Sequence, residues 1–286
     1  MNNKFSFERL LGGSGQTLLH VALLGIGAIY IFPFVWMLGT SLKTPSEFFT
    51  LGLRPFPTGE WQWSNFTKAW VTANFGQYFL NTALLAVSVT TLVVLLTAMA
   101  AYALTRLKVP GKPIILGAIF LTFFLPSGIF NIIPIYDIIQ NLGLLNSLGA
   151  VVLVITGGQM VFNTLLFYGY MRTMPQEIEE AAVIDGASVH QRFLQVVLPM
   201  SGPMVATVGL FTFINTWNEF FVPLVFTLSR PELRTLAVGM YAFVGEASRE
   251  WTLLCAGATI SILPIIVVFV FLQDKFTEAF AGAVKT

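Results

Sequence analysis

Glu180–Pro199 reads EAAVIDGASVHQRFLQVVLP, a polar interlude between two very apolar segments. Its fixed elements are Glu180-Ala181-Ala182, then Gly186, an aliphatic Val196 and Leu198-Pro199. At roughly 5–10% usage per position, six fixed residues recur by chance on the order of 10⁻⁷ of the time per start. Local chemistry predicts two short helices joined by a turn. Pro175 suits a first helical turn, where a missing amide donor costs nothing, and Glu177, Glu179 and Glu180 then stand where the helix dipole favours negative charge. Asp185-Gly186 is a turn dipeptide, glycine adopting left-handed backbone angles without steric cost. Val189, Phe193 and Val197 recur at four-residue spacing and share one face of a second helix, which Pro199 is expected to close. A compact pair over 175–199 presents the small Ala181, Ala182 and Ala187 to the cleft of a partner.

The surrounding chain is 56% hydrophobic and 10% charged, with 27 Phe, against roughly 25% charged residues in ordinary soluble domains. Such a composition calls for a membrane. Apolar runs at 18–39, 79–105, 114–137, 147–170, 203–227 and 252–273 each supply the roughly 20 residues that cross about 30 Å of hydrocarbon. The expectation is an all-α polytopic membrane protein with six transmembrane helices. Barrel strands would be shorter and alternate in polarity. The first run ends in Trp36-Met37-Leu38 without a small-residue cleavage site and reads as a retained anchor.

Arg106, Lys108 and Lys112 crowd the connection between the second and third runs, whereas 137–146 contains no Lys or Arg. Positive residues collect on the cytoplasmic side, so both termini, residues 1–17 and the tail 274–286, are expected inside. Lys43, Arg54, Lys68, Arg230, Arg234 and Arg249 soften the bias on the outer side. The same topology puts 180–199 in the cytoplasm. A helix lying on the inner leaflet is the alternative use of that segment, but such helices carry Lys and Arg on the polar face, and here the face is acidic. The core region is 77–273, and 40–76 forms an outer connection. That connection holds Pro45, Pro55, Pro57 and Gly59, then Trp61, Trp63 and Trp70, and reads as short interfacial helices. Its tryptophans suit either headgroup anchoring or a sugar-stacking surface.

Asn215, Thr216, Asn218 and Glu219 fall inside the fifth run, where ionisable groups are expensive and mark function by default. With Trp217 they are candidates for a substrate path or an interface with a second membrane subunit. Satisfying neighbouring helices is the competing role. Pro126 and Pro134 in the third run, Pro223 in the fifth and Pro264 in the sixth each remove a helical hydrogen bond and predict kinks.

Catalytic patterns are missing from the sequence. GxxxxGK[ST] does not occur, since Gly111-Lys112 is followed by Pro113. There is no nucleophile elbow or His-Glu metal motif, His20 and His190 are isolated, and the single Cys255 excludes an intramolecular disulfide. A net charge of +1 gives no field for nucleic acid.

The 180–199 pattern resembles the EAA loop of bacterial ABC importer permeases. Beyond it, the chain is similar to the smaller, six-helix permease of the carbohydrate-uptake importers of the maltose type. The residues carrying this are Asn65-Phe66, Ala69-Trp70, Asn81-Thr82, Ala100–Arg106, Ile133–Tyr136, Leu142–Ser147, Trp217-Asn218-Glu219-Phe220, Pro223-Leu224, Thr235–Gly239 and Gly282-Ala283-Val284-Lys285. Thr286 for the commoner Gly, Glu278-Ala279-Phe280 and Val196 for Ile are departures.

The resemblance implies a type I importer permease fold in the bacterial inner membrane, with no enzymatic activity or cofactor in this chain. ATP and Mg would belong to two partner ATPase subunits, and a periplasmic or lipid-anchored binding protein would deliver solute. A second homologous permease would complete the core. Glu180, Ala181, Ala182, Asp185, Gly186, Ala187, Leu198 and Pro199 would couple to the ATPase, and Gly282, Ala283, Val284 and Lys285 would reach it through the tail. The implied cargo is an oligosaccharide, with a polyol phosphate as the alternative. An ion-coupled secondary carrier would need coupling-ion sites and repeated halves, and neither is visible.

Overall fold

The computed structural model describes residues 13–72, 74–125, 131–245 and 250–283, all helix, turn or coil. In chain order the first helices are α1 (Gly13–Ser41), α2 (Pro45–Leu51), α3 (Ser64–Thr72), α4 (Phe75–Arg106) and α5 (Lys112–Leu121). Then come α6 (Ile132–Asn141), α7 (Leu148–Arg172), α8 (Glu177–Ile184), α9 (Val189–Gln191), a π-helical turn (Arg192–Val197) and α10 (Leu198–Met200). The last are α11 (Gly202–Trp217), α12 (Phe221–Phe226), α13 (Leu236–Gly245) and α14 (Trp251–Ala283). Two compact units divide the chain, one of residues 1–73 with 246–260, the other of 74–245 with 261–286.

Among the described residues four helices are long and apolar enough to cross a bilayer: Gly15–Ser41, Phe75–Arg106, Leu148–Arg172 and Trp251–Asp274. Val189–Met200 and Gly202–Trp217 form a fifth candidate bent by 77°. Six transmembrane helices are expected from the apolar runs, with kinks at the prolines of the third, fifth and sixth, and two of these runs are interrupted outright. Run 114–137 breaks after α5 and a 3-10 turn at Thr122–Phe124. Leu125 is extended there, φ −82° and ψ 142°, as the ring of a following proline requires. Pro126 itself lies outside the described residues. Run 203–227 breaks at Asn218, and the chain restarts as α12. Pro134 and Pro223 fall in the first turns of α6 and α12, where a missing amide is harmless, so they start helices instead of kinking them. Pro264 and also Pro33 do sit inside long helices, α14 and α1.

In the larger unit α4 packs on both α7 and α11. Its buried Leu85, Val89, Val93, Ala98 and Ala101 meet Val151, Ile155, Phe167 and Met171 of α7 and Val208 of α11. Small residues matter because helices in lipid associate through close packing more than through a hydrophobic drive. At one end of α4 the Asn81 amide donates to the carbonyls of Glu232 and Arg234, at 2.8 and 2.9 Å. The Leu236 amide donates to Thr82 Oγ1 at 2.8 Å. Gly239 faces the Tyr78 ring so closely that a Cβ would sit 2.3 Å from Cδ2, which explains a glycine inside α13.

In the smaller unit the segment after α1 forms α2 and α3 with a turn between. Asn65, buried, donates to the carbonyls of Ser41 and Lys43, both at 2.9 Å. Lys43 is also buried and donates to the Arg54 carbonyl at 2.6 Å, with its ammonium 5.7 Å from the Trp36 ring centroid. Burial holds that amine below its ordinary pKa. Phe56, Trp61, Trp63 and Phe66 follow one another as a row of ring contacts at 6.1, 6.1 and 6.2 Å.

Candidate functional site: the helix pair at 177–200

The expected helix pair is present, with its turn where glycine was expected to place it. Gly186 has φ +81°. Its amide donates to the Val183 carbonyl and the Ala187 amide to the Ala182 carbonyl, at 3.0 and 2.9 Å, the paired bonds of a Schellman motif. Ser188 then caps α9. Gln191 N donates to Ser188 Oγ, and Ser188 N to Gln191 Oε1, a reciprocal capping box. Phe193 and Val197 are buried as the four-residue spacing predicts, but Val189 is exposed. Pro199 does not close the helix. It sits inside α10, and the bend comes at Ser201. Pro199 cannot donate to the carbonyl four residues before it, and the chain widens into a π turn over Arg192–Val197 immediately upstream.

Which side of the pair faces outward differs from the alanine-based expectation. Ala182 and Ala187 are half-buried, while Ile178, Val183, Ile184 and Val189 are exposed, Ile184 by 86%. Glu180, Ala181, Asp185 and Gly186 are exposed beside them, Leu198 is half-buried and Pro199 exposed. The knob therefore presents aliphatic side chains around a small-residue centre.

Its rear is held by charge. Glu179, next to the exposed Glu180, turns inward, and its carboxylate meets three side chains from two other elements. Tyr102 Oη donates to Oε1 at 2.7 Å, Arg192 Nη1 to Oε1 at 3.3 Å, and Arg106 Nε stands 3.2 Å from Oε2 as an ion pair without hydrogen-bond alignment. Arg106 and Glu179 side chains are only 7% and 9% exposed. Arg106 Nη2 also donates to the carbonyls of Met171 and Met174, both at 3.0 Å, and the Tyr102 ring lies 5.4 Å from that of Phe193. The end of α4, the end of α7, α8 and the π turn are thus joined at one carboxylate.

At the other candidate region the run 215–219 divides by environment. Trp217 is buried, its indole donating to the Ser261 carbonyl at 3.0 Å, stacked on Phe213 and edge-on to Phe79. It belongs to helix packing. Asn215 and Asn218 are exposed, and Asn218 Nδ2 donates back to the Ile214 carbonyl. Glu219, half-buried, accepts from the amides of Phe221 and Val222 at 3.0 and 3.2 Å, closing the start of α12. Thr216 Oγ1 receives the Gln159 amide at 3.3 Å. Gly282 and Ala283 continue α14, while Val284 and Lys285 lie outside the described residues.

The profile of the family described as "Binding-protein-dependent transport system inner membrane component" matches residues 93–281, which contain the whole helix pair. The chain belongs to this family. Among related inner membrane components, the diacetylchitobiose uptake system permease protein NgcG of Streptomyces coelicolor is 32% identical over 93% of this chain and 86% of its own length. The melibiose/raffinose/stachyose import permease protein MelC of Bacillus subtilis is 28% identical over 91% and 93%. A crystal structure of a bacterial ABC transporter involved in the import of alginate contains a chain with TM-score 0.78 and 23% identity. That match covers 93% of this chain and 98% of that one, and it shows the shared permease fold.

The burial of Glu179 in this inner membrane component is not legible from its residues alone, which place it only at the favourable end of a helix dipole. Its partners Tyr102 and Arg106 precede it by more than 70 positions, so no local spacing points to them. Ser188-x-x-Gln191, by contrast, is a capping pattern visible in the sequence.

Proposed function

We propose that this chain is one membrane-spanning half of an ATP-driven importer that carries a carbohydrate, an oligosaccharide in class, across the bacterial cytoplasmic membrane. The observation that carries this reading is the exposed aliphatic knob at 177–189 anchored from behind by Glu179. Such a part fits the cleft of a separate ATPase subunit and passes displacement to α4 and α7. In this reading α5 with α6, and α11 with α12, are two broken crossings that with the four long helices make six. The basic residues Arg106, Lys108 and Lys112 face the cytoplasm, and both termini share that side. Closure of two ATPase subunits pulls on the knob and alternates access to a path formed with a second, homologous permease. Asn215, Asn218 and Glu219 border that path at a helix break. A soluble binding protein delivers the sugar, as the family description and the glycoside-importing relatives support.

Uptake of labelled diacetylchitobiose, melibiose and raffinose by cells lacking this chain, with and without its reintroduction, tests the reading. Restored uptake of a sugar that stops on ATP depletion is expected. Uptake that survives ATP depletion and follows the proton gradient would overturn it in favour of a secondary carrier.

A further inference from the structure

A cavity of about 370 Å³ opens where α4 and α7 end and α5 begins, lined by Thr105, Arg106, Lys112, Tyr168, Arg172 and Gln176. Among the described residues three cations and no carboxylate line it. Arg106 is engaged by Glu179, but Lys112 and Arg172 make no salt bridge among the described residues. Instead both converge on one aromatic ring, Lys112 Nζ at 5.7 Å and Arg172 Cζ at 5.8 Å from the Tyr168 centroid. Both cations also line the cavity, so an anion held in it would be attracted to two charges that no carboxylate among the described residues neutralises. The Gln176 amide adds a neutral donor at the rim.

The depth of the cavity points to the anion's source. The two apolar spans Phe75–Arg106 and Leu148–Arg172 both finish with a lining arginine, so the cavity sits where hydrocarbon gives way to headgroups. Exposed Ile114 and Ile115 lie within one turn of Lys112 on α5, leaving an apolar flank against which acyl chains can rest.

We propose that this cavity binds the phosphate of an anionic phospholipid at the inner leaflet, where such lipids make the surface potential negative. The leaflet rests on the orientation given under Proposed function, while the binding itself does not.

The test is native mass spectrometry of the full chain in detergent, titrated with phosphatidylglycerol, with phosphatidylcholine and with inorganic phosphate. Wild type is expected to prefer phosphatidylglycerol. Lys112→Gln and Arg172→Gln should each weaken that preference about fivefold, and together about 25-fold, the weight of one cation each near an anionic surface. Arg230→Gln, which removes a charge near the Asn81 end of α4, should leave the preference unchanged. The charge-conserving pair Lys112→Arg with Arg172→Lys should retain it, separating charge from folding damage.

Equal affinity for the two lipids, or a preference that survives the double variant, overturns the proposal. That result together with lost ATPase copurification would instead assign the cavity to an acidic side chain of the partner. Phosphate binding without a lipid preference also overturns it, leaving a site for free anions. Labelling of Lys108→Cys from one side of sealed vesicles reports the orientation separately, so failure of either reading is recognised on its own.

Discussion

Glu179 and Glu219 are two glutamates set in an apolar chain, and they are neutralised in opposite ways. Glu179 is met by Tyr102, Arg106 and Arg192, side chains that α4 and the π turn bring to it. Glu219 is met by two amides two and three residues ahead of it. The first is a tertiary joint and the second a local cap. A displaced joint moves every element attached to it, whereas a displaced cap frays one short helix. This difference suits 177–200 to the force transmission proposed above and makes the 217–221 break a local feature.

Removing the Glu179 carboxylate is the strongest way to break the contrast. Glu179→Ala leaves the buried Arg106 and the half-buried Arg192 without a counter-charge, and the loss of one partner of a buried pair costs about 3–5 kcal/mol. Thermal unfolding of the solubilised chain should show the largest drop of any single substitution named here, and copurification with the ATPase should fail. Adding Arg192→Ala should recover part of the loss, because coupled groups are not additive. A double variant no better than the single one would dissolve the joint into independent contacts.

Next comes the turn that sets the knob. Gly186→Val places a β-branched residue at φ +81°, which costs about 1–2 kcal/mol in the left-handed region. The Glu179 joint stays intact, so insertion and most of the thermal midpoint should persist while sugar-dependent uptake falls. Full uptake in this variant would mean that the angle between α8 and α9 is irrelevant to coupling.

What could be read in advance follows the same division between local and distant causes. The Gly186 turn and the inward Phe193 and Val197 rest on residues within a few positions of each other. So do the restarts at Pro134 and Pro223, although the restarts had been expected as kinks, since a proline alone does not say whether the helix before it continues. Leu125 beside Pro126 carries a local signal for a break that the uninterrupted apolarity of run 114–137 concealed. The Glu179 joint and the cavity at Tyr168 depend on which helix ends meet. Hydrophobic runs as uniform as 79–105 do not encode that, because every face of such a helix is apolar.

Glu219→Ala should have a smaller effect than either substitution at the knob. The carboxylate serves two amides at the start of α12, and loss of a helix cap costs about 1 kcal/mol. Glu219→Asp should restore much of it. A second-site rescue of the kind expected for Glu179 should not exist, since no cationic side chain faces Glu219 among the described residues. If uptake affinity shifts by more than stability does, Glu219 touches the solute as well as its own helix.

A third glutamate, in the smaller unit, supplies the intermediate case and the smallest expected effect. Glu47 is half-buried and accepts from the amides of Gly59, Thr44 and Thr58 and from the Thr58 hydroxyl, at 3.0, 3.3, 3.1 and 3.1 Å. The Gly59 amide, then that of Thr44, hold its carboxyl below the ordinary value of 4.5. A depressed folded pKa means that the unfolded chain takes up the proton first as pH falls. The stability that Glu47 contributes is therefore complete above about 4.5, the unfolded range, and disappears as pH drops through the lower folded value. Thermal midpoints of wild type and Glu47→Gln should differ modestly at neutral pH and converge in acid. A gap that stays constant down to about pH 3 would mean that the 55–59 turn is held by shape alone and not by the carboxylate charge.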